Sequence, residues 1–427
     1  MTERNLGSAP PKTAPQDSVT LSCGLLPRSS RGTGSPFGWL PLGPSDVRVF
    51  VPPTLVDVCQ DLPRSRRDSI LAMFSFFACR WFKGNCGIDG FTSEHRDTLR
   101  WLFGRDYASK VRFLVAHAGL EVTKNYAVGY QTKRYRVPVG GLRPFTIRNK
   151  PLAKKFAQLD LRKTDKTIER ARQMNREETV EWMIEVITRH LQVDEHGLSA
   201  ELSVMDPTNE REFNQHMYRC LSATALLDKR FIFSMDPKTG RFFSNITNLP
   251  KEFRKHLRLT GVALAEVDVK TAQPYLLSTL YPERTGEWRR FTDDIINHDF
   301  YEMFAPDGID RDTAKKQIFT YILFGRNEIA EYGALWEPFS KRYPQMAGII
   351  KRMKGEQPNS VALRLQELES RGMIGGVAAE LAKEKELFVT IHDSVMVRPL
   401  AVPKARRLIT KHFGAIVGVP PVLRQER

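Results

Sequence analysis

Two aspartates in the C-terminal half of the chain each follow a run of residues typical of a β-strand. Asp268 ends the run VALAEVD, and Asp393 lies in a turn between LFVTI and SVMV. A carboxylate at a strand end is held rigidly while its oxygens stay open to ligands. Two such carboxylates on neighbouring strands can bind two divalent ions about 3.5–4 Å apart, which supports phosphoryl transfer. Mg²⁺ suits such a site, with Mn²⁺ as a substitute, because it accepts carboxylate, water and phosphate oxygens.

The segment RDTAKKQIFTYILFG predicts a basic helix that ends in an aromatic residue. Lys316, Thr320 and Phe324 recur every four positions and would share one helical face. Arg311 and Lys315 would lie on an adjoining face. Such a helix can hold a triphosphate at its basic end and stack a base on its aromatic end. A lysine near the leaving phosphate would also offset charge in the transition state. The plainer interpretation is an amphipathic helix with a basic edge.

A third element, KTGRFFSNITNLPKEFR, contains Gly240, which permits a turn, and Arg241, which could reach a phosphate or a groove. The chain therefore presents, in order, TGR-FFS, strand-Asp, R-x3-KK-x7-FG and strand-HD-strand. This order resembles the polymerase core shared by family A DNA polymerases and the single-subunit RNA polymerases. The resemblance covers about residues 230–400, and its specificity comes from the order, since each motif alone is weak or moderate.

The resemblance implies template-directed nucleotidyl transfer, in which a primer 3′-hydroxyl attacks the α-phosphate of a nucleoside triphosphate and releases pyrophosphate. Asp268 and Asp393 would be catalytic and hold two Mg²⁺ ions, with Lys316 as a catalytic cation. The residues that would bind the nucleotide are Arg311, Lys315, Thr320, Phe324 and Gln273. The residues that would bind the primer or template are Arg241, Gln366 and His392. Gln366 is included because RLQELES resembles the glutamine-containing helix before the His-Asp pair; Glu369, in the same segment, would either support the hairpin or be a solvated acid.

Departures from the family pattern leave the sugar and the product open. DNA polymerases of this family usually carry Glu where Gln273 stands, and His-Asp-Glu where this chain has His392, Asp393 and Ser394. The His-Asp-Ser of this chain looks more like the RNA polymerases. Arg311 is offset by one position from the arginine of the family motif. A DNA polymerase is the preferred interpretation. The alternatives are an RNA polymerase or primase on the same fold, and a non-catalytic DNA-binding replication factor.

The elements that must position these residues divide into four predicted segments. Residues 1–45 are rich in Pro, Gly, Ser and Thr, which predicts a disordered tail. Residues 46–145 predict a basic nucleic-acid-binding domain, and 146–230 a helical connector or thumb. Residues 231–427 would hold the palm and fingers. The predicted fold class is α+β, a polymerase right hand preceded by a basic domain with the outline of a winged helix.

The segment 46–145 contains the strongest local excess of positive charge. Residues 101–150 contain ten Lys or Arg against two acids. Tyr126, Tyr130 and Tyr135 alternate with basic residues in a predicted hairpin that follows several helices. Basic groups beside aromatic rings suit phosphate contact together with base or sugar stacking. The alternative is a solvated basic hairpin on an ordinary small domain.

Composition favours a polyanionic partner. There are 65 Lys and Arg against 49 Asp and Glu, a net charge of +16. DNA primer–template is the expected partner, with RNA as an alternative, and nucleoside triphosphates as substrates. The five cysteines are irregularly spaced without a CxxC motif, which favours a reducing compartment over a disulfide framework. No signal pattern or membrane-length apolar stretch occurs, so the expected location is cytoplasmic and no membrane partner is predicted.

Overall fold

The computed structural model of the chain describes seven segments: residues 42–82, 91–123, 133–138, 141–204, 208–305, 309–325 and 334–426. The predicted tail up to residue 41, with Tyr126 and Tyr130 of the predicted hairpin, lies outside the described residues. The described part is a mixed α+β structure, as the sequence predicts at the level of fold class. Its buried apolar residues form two hydrophobic cores, one mainly N-terminal and one C-terminal.

The N-terminal unit combines four helices with a two-stranded ribbon and a three-stranded sheet. Its helices are α1 (Pro53–Val58), α2 (Arg64–Phe82), α3 (Arg96–Phe103) and α4 (Tyr107–Ala118), and its strands are β1 (Asp46–Val51), β2 (Thr92–Ser93), β3 (Glu121–Val122), β4 (Arg134–Arg136) and β5 (Arg143–Arg148). β1 pairs with β5, and the small sheet has the order β2–β4–β3. Tyr135 of β4 stacks on Phe77 of α2 with ring centroids 4.3 Å apart, which fixes the sheet against that helix.

A helical segment links this unit to the rest of the chain. It contains α5 (Lys150–Gln173), α6 (Glu177–Glu185), a π-helical turn (Val186–His190), β6 (Leu191–Val193), α7 (Glu195–Ser203) and α8 (Glu210–Leu227). α5 begins after Asn149, whose side-chain oxygen accepts a hydrogen bond from the Leu152 N–H at 3.1 Å. At the end of α8, Asp228 forms an ion pair with Arg48 of β1 at 2.9 Å, with side-chain exposures of 4% and 6%. This buried pair joins the N-terminal ribbon to α8.

The C-terminal part is built around a four-stranded antiparallel sheet. The strands of this C-terminal part, four of which form the main sheet, are β7 (Phe233–Met235), β8 (Phe242–Ser244), β9 (Leu257–Leu259), β10 (Val262–Ala263), β11 (Ala265–Val269), β12 (Phe388–Ile391), β13 (Ser394–Val397) and β14 (Leu423–Glu426). Its helices are α9 (Lys251–Arg254), α10 (Ala272–Leu277), α11 (Gly286–Asn297), α12 (Arg311–Gln317), α13 (Trp336–Arg342), α14 (Pro344–Glu356), α15 (Ser360–Gly372), α16 (Ala379–Lys383) and α17 (Val402–Val417). Short 3₁₀ turns lie at Ser278–Leu280, Glu302–Phe304 and Pro399–Ala401, and π-helical segments lie at Ile318–Phe324 and Met373–Ala378. The main sheet has the order β12–β13–β11–β14, β7 pairs with β8, and the third small sheet has the order β10–β9–β6.

Strand β11 shows why the main sheet can present acids on one side. Ala265, Val267 and Val269 are buried, whereas Glu266 and Asp268 between them are only partly buried. Because side chains alternate along a strand, the two acids share one face and the apolar residues pack on the other. Helix α17 packs against β11.

Two expectations about helices differ from the structure. The spacing of 311–325 predicts one continuous α-helix, but the α-helix ends at Gln317 and a π-helix follows. The acids at 293 and 294 read as surface residues. Asp294 is instead buried, with its carboxylate bonded to Arg342 and to the Tyr343 hydroxyl. Among the described residues, no helix combines the length and the apolar character needed to cross a bilayer.

The Arg48–Asp228 pair generates a stability prediction. Asp228→Asn removes the negative charge beside a buried guanidinium, so we expect the free energy of unfolding to fall by about 3 kcal/mol. Urea denaturation would measure the change. As a control, Glu169→Gln weakens the exposed pair between Glu169 and Arg172 and should change the free energy by less than about 0.5 kcal/mol. Equal changes in the two variants would contradict a structural role for the buried pair.

Candidate functional site

The main sheet brings the two predicted metal-binding aspartates together. In the antiparallel ladder of β11 and β13, Asp268 lies opposite Ser394. The N–H of Val269 donates to the carbonyl oxygen of Asp393 at 3.3 Å. Asp393 lies in the two-residue turn between β12 and β13, where His392 has a left-handed backbone (φ +54°). The tip of this hairpin therefore lies beside the end of β11.

Electrostatics at Asp393 make the site receptive to a cation. Burial, followed by the nearby carboxylates of Glu369 and Asp268, raises the pKa of Asp393 to about 7, whereas Lys315 opposes the rise. Two further carboxylates thus disfavour the charged form of Asp393 in a partly enclosed space. A divalent cation would relieve this repulsion, and the oxygen donors present are those that Mg²⁺ accepts. The residues fit such an ion on this observation.

Arginines already neutralise the two acids on the exposed face of β11. Arg424 of β14 contacts Asp268 through two hydrogen bonds, Nη2–Oδ2 at 2.8 Å and Nε–Oδ1 at 3.3 Å. Arg254 contacts Glu266 at 3.1 Å, and the Ser394 hydroxyl donates to the same carboxylate at 2.6 Å. In the structure, Asp268 is therefore held by a guanidinium that contacts both of its carboxylate oxygens.

A buried network joins three separate parts of the C-terminal unit. Glu369 of α15, only 2% exposed, accepts hydrogen bonds on Oε2 from Arg241 Nη2 at 2.6 Å and from Gln273 Nε2 at 2.5 Å. Burial raises the pKa of Glu369, although Arg241 opposes the shift. The interpretation of Glu369 as a solvated acid is therefore wrong. Within the described residues, Glu369 Oε1, Gln273 Oε1 and Arg241 Nε have no hydrogen-bond partner, so each can accept or donate one further bond.

The turn that carries Arg241 is tightly held. Gly240 has φ +69°, and a Cβ there would lie 2.6 Å from Arg176 Nη1, so the position favours glycine on both counts. Arg176 donates to the Gly240 carbonyl at 3.1 Å and to the Ser370 hydroxyl at 2.8 Å. Ser370, next to Glu369 on α15, donates to the same carbonyl at 2.5 Å. The turn and α15 are thereby fixed relative to each other.

His392 is held in its neutral form. Burial lowers its pKa to about 4, and the positive charges of Arg241 and Arg254 contribute. Its ring meets Phe243 edge-on with centroids 5.7 Å apart, and its Nδ1 has no hydrogen-bond partner among the described residues. Gln366, the other predicted primer or template contact, is half-buried on α15, one helical turn before Glu369.

The basic helix α12 brings the charge of Lys315 near Asp393. The Nζ atom of Lys315 lies 5.7 Å from the ring centre of the buried Tyr301, and Lys315 also acts on the charge of Asp393. Arg311 lies over the same ring at 5.3 Å and donates to Asp299 at 2.7 Å. Arg311 is therefore already engaged by a carboxylate.

The remaining predicted nucleotide contacts are exposed. Lys316 and Thr320 are exposed, and so is Phe324, at 37%. Phe324 meets Phe319 edge-on with ring centroids 5.2 Å apart. The single face predicted for these residues assumed 3.6 residues per turn throughout. Ile318–Phe324 is instead a π-helix, whose wider turn still leaves residues four positions apart near one face, so the shared face stays a prediction.

A buried lysine supports the end of the π-helix. Lys354 of α14 is 3% exposed, and its Nζ donates to the carbonyl oxygens of Ile322 at 2.5 Å and Tyr321 at 3.4 Å. The last carbonyls of a helix lack partners within the helix, so Lys354 satisfies two of them. Burial lowers the pKa of Lys354 to about 8.

Three residues of the site were missed or undervalued by sequence reasoning. Glu369 and Tyr301 belong to the site because they are buried beside it. The burial of a single acid or tyrosine cannot be recognised from a helical sequence pattern. Arg424 belongs to the basic C-terminal stretch, and only the pairing of β14 with β11 places it opposite Asp268. A periodicity check on VLRQE could have suggested a final strand, but not its partner.

A second acidic cluster does not form a comparable site. Donor atoms of Asp293, Asp294 and His298 lie within 4.8 Å of one another. However, Asp294 is buried, and its two carboxylate oxygens already accept from Arg342 and from the Tyr343 hydroxyl, whereas Asp268 is only partly buried and, within the described part of the chain, bonded to Arg424 alone. We assign no metal to this cluster.

Comparison with known proteins gives one structural likeness to report. No protein-family model matches the chain, and no curated protein matches it. A solved structure described as the POL domain of Pol1 from M. smegmatis, in complex with DNA primer-template and dNTP, aligns with a TM-score of 0.36 and 15% sequence identity. The alignment covers 63% of this chain and 65% of that chain, so it spans less than two thirds of the solved domain.

The raised pKa of Asp393 predicts that this residue destabilises the metal-free protein. Its pKa of about 7 in the folded state exceeds the ordinary 3.8, so the cost of ionisation is absent below about pH 4 and complete above pH 7. Asp393→Asn should therefore raise the free energy of unfolding at pH 8 in EDTA, by about 1–3 kcal/mol. The gain should disappear towards pH 4.

Urea denaturation of both proteins across this pH range measures the effect, and added Mg²⁺ provides the control. Mg²⁺ should stabilise the wild type but not Asp393→Asn, because a ligand stabilises only the state that binds it. A gain that does not change with pH, or equal stabilisation of both proteins by Mg²⁺, would contradict this account of Asp393.

Proposed function

We propose that this chain is a template-directed nucleotidyltransferase, and specifically a DNA polymerase that extends a primer 3′ end. The observation that carries the proposal is the placement of Asp268 and Asp393 beside each other where the end of β11 meets the β12–β13 turn, with the charge of Lys315 of α12 near Asp393. The order of motifs along the sequence supports the same proposal. The sheet would be the palm of a right hand, and α12 with its π-helical extension would belong to the fingers.

Asp268 and Asp393 would hold the two Mg²⁺ ions of this reaction. When bound, such ions supply an activated 3′-hydroxyl and stabilisation of the pyrophosphate leaving group. The protein's own contribution is rigidity: Asp393 lies in a two-residue turn whose backbone is hydrogen-bonded to β11. A ligand fixed in this way loses little entropy when the ion binds.

Lys315 is the cation best supported for contact with the triphosphate. Its charge lowers the pKa of Asp393 and therefore lies near the proposed metal site, and its side chain is exposed, as are those of Lys316, Thr320 and Phe324. Lys316 remains a proposed second phosphate contact, and Phe324 a proposed stacking surface for the base. Arg311 would act through Tyr301 and Asp299, which hold the start of α12.

Arg241, His392 and Gln366 would contact the primer or template. Arg241 keeps its Nε free of partners, and Glu369 fixes its orientation. The neutral His392 lies directly before Asp393 and offers a ring nitrogen without a partner. These groups can meet a primer terminus through hydrogen bonds without adding a negative charge.

The sugar contact would come from Gln273, which Glu369 holds through its amide N–H. Its Oε1 is buried and free to accept a hydrogen bond. Ser394 is engaged by Glu266 and Ile391 and so has a structural role in the hairpin. Gln273 and Ser394 are the residues that favour the second candidate, an RNA polymerase or primase on the same fold.

The N-terminal unit would bind nucleic acid beside the catalytic part. The chain order α2, β2, α3, α4, β3, β4 and the sheet order β2–β4–β3 support the proposal of a winged helix for residues 46–145. We propose residues 146–230 as a helical connector or thumb and 231–427 as palm and fingers. The positive charge of residues 46–145 suits contact with a DNA or RNA duplex.

Primer extension tests the proposed function. A labelled primer–template is incubated in Mg²⁺ with dNTPs or with rNTPs, using the wild type and Asp393→Ala. We expect extension with dNTPs and a loss of at least about 1000-fold in the variant, since the ion can no longer be held. Extension with rNTPs alone would indicate RNA or primer synthesis. Binding of the duplex without extension of either kind would favour a non-catalytic DNA-binding protein.

Separate substitutions distinguish the two neighbouring lysines of α12. We expect Lys315→Ala to raise the KM for nucleotide about tenfold and to lower kcat, because its cation lies near Asp393. Lys316→Ala serves as the matched control and should have the smaller effect on kcat. Steady-state kinetics on a fixed primer–template would measure both, and a larger effect from Lys316→Ala would contradict the assignment.

A further inference from the structure

Arg424 has an unusual position for a residue near a proposed metal ligand. In the ladder of β11 and β14, Arg424 lies directly opposite Asp268, and its guanidinium makes two hydrogen bonds to that carboxylate. The same ladder places Glu426 opposite Glu266. The last strand of the chain therefore brings one cation and one anion to the acidic face of β11.

The guanidinium of Arg424 has a second acceptor within reach. Its Nη2 lies 3.3 Å from Glu426 Oε1 as well as 2.8 Å from Asp268 Oδ2. Lys251 also pairs with Glu426, with Nζ–Oε2 at 2.7 Å. Arg424 Nη2 is thus within ion-pair distance of two carboxylates on one sheet face, so it would keep one partner if the other were released.

The two carboxylates differ in their surroundings. Asp268 lies beside Asp393, whose charged form is disfavoured by the nearby acids, whereas Glu426 lies at the sheet edge with Lys251. The Arg424 side chain is 57% exposed, so its movement displaces no core packing. Exposed ion pairs are weak enough to exchange partners.

We propose that Arg424 is an internal counter-ion of the metal site: it occupies Asp268 when no divalent cation is bound and transfers to Glu426 when one binds. The proposal rests on the proposed function only in taking Asp268 as a metal ligand. Arg424 holds and orients the Asp268 carboxylate through two hydrogen bonds, and in doing so it competes with the incoming ion.

If Arg424 changes partner in this way, substitutions of Arg424 and of Glu426 should change the affinity for the metal ion in opposite directions. Arg424→Gln removes the competitor, so Mn²⁺ should bind about threefold more tightly, on the scale of an exposed ion pair. Glu426→Gln removes the alternative acceptor, so Arg424 stays on Asp268 and Mn²⁺ should bind about threefold more weakly. Simple loss of charge would also change affinity, but it would act additively.

The experiment is a titration of the full chain with Mn²⁺, followed by electron paramagnetic resonance of the free ion, without DNA or nucleotide. A double-mutant cycle separates transfer from general electrostatics. In the Arg424→Gln background, Glu426→Gln should leave the Mn²⁺ affinity nearly unchanged. Arg398→Gln is the matched control, because Arg398 forms a similar partly exposed pair with Glu386 at the far end of β13, and it should have no effect.

Three results would decide the matter. Opposite single effects with loss of the Glu426→Gln effect in the double variant would support the counter-ion. Additive effects, or unchanged affinity in Arg424→Gln, would overturn it while leaving the proposed metal site intact. Unchanged Mn²⁺ binding in Asp268→Asn would remove Asp268 as a ligand, and the inference would then fail together with that part of the proposed function.

Discussion

The pairing of β11 with β13 is the constraint on which the rest of the site depends. Asp268 meets Ser394 in this ladder, and the Val269 N–H bonds to the Asp393 carbonyl. Since side chains alternate along a strand, a slip of one residue would turn Asp268 into the apolar interior and separate it from Asp393. The buried residues Val267 and Val269 oppose this slip, because it would expose them. Hydrophobic packing thus fixes the relative position of two carboxylates that lie far apart in the sequence.

Acidic side chains are concentrated around Asp268 and Asp393, and this lowers the stability of the folded protein. Burial, together with the carboxylates of Glu369 and Asp268, disfavours the charged form of Asp393 and raises its pKa. Arg241 and Arg424 compensate from two sides, and each comes from a different part of the chain. Partly compensated acids of this kind are typical of sites that bind a cation, because the ion supplies the missing charge. The same repulsion would be a plain defect in a purely structural protein.

Sequence reasoning reached the parts of the site that local patterns determine. The hairpin around Asp393 follows from two apolar runs and a polar pair, and the mixed fold class follows from the sequence of elements. The placement of Arg424 depends on which strand β14 joins, and pairing between distant strands leaves little mark on sequence. The π-helix after Gln317 was also not predictable, because its support comes from Lys354, which lies 32 positions after Ile322 in the chain. Sequence alone left Glu369 open between a support of the hairpin and a solvated acid, since its partners, Arg241 and Gln273, lie far away in sequence.

Anomalous scattering from crystals grown with Mn²⁺, primer–template and a non-hydrolysable nucleotide tests the central claim most directly. The account predicts anomalous density between the carboxylates of Asp268 and Asp393, next to the nucleotide phosphates, with Lys315 facing those phosphates. Density elsewhere, such as at Asp293 and His298, with Asp268 still bonded to Arg424, would contradict it.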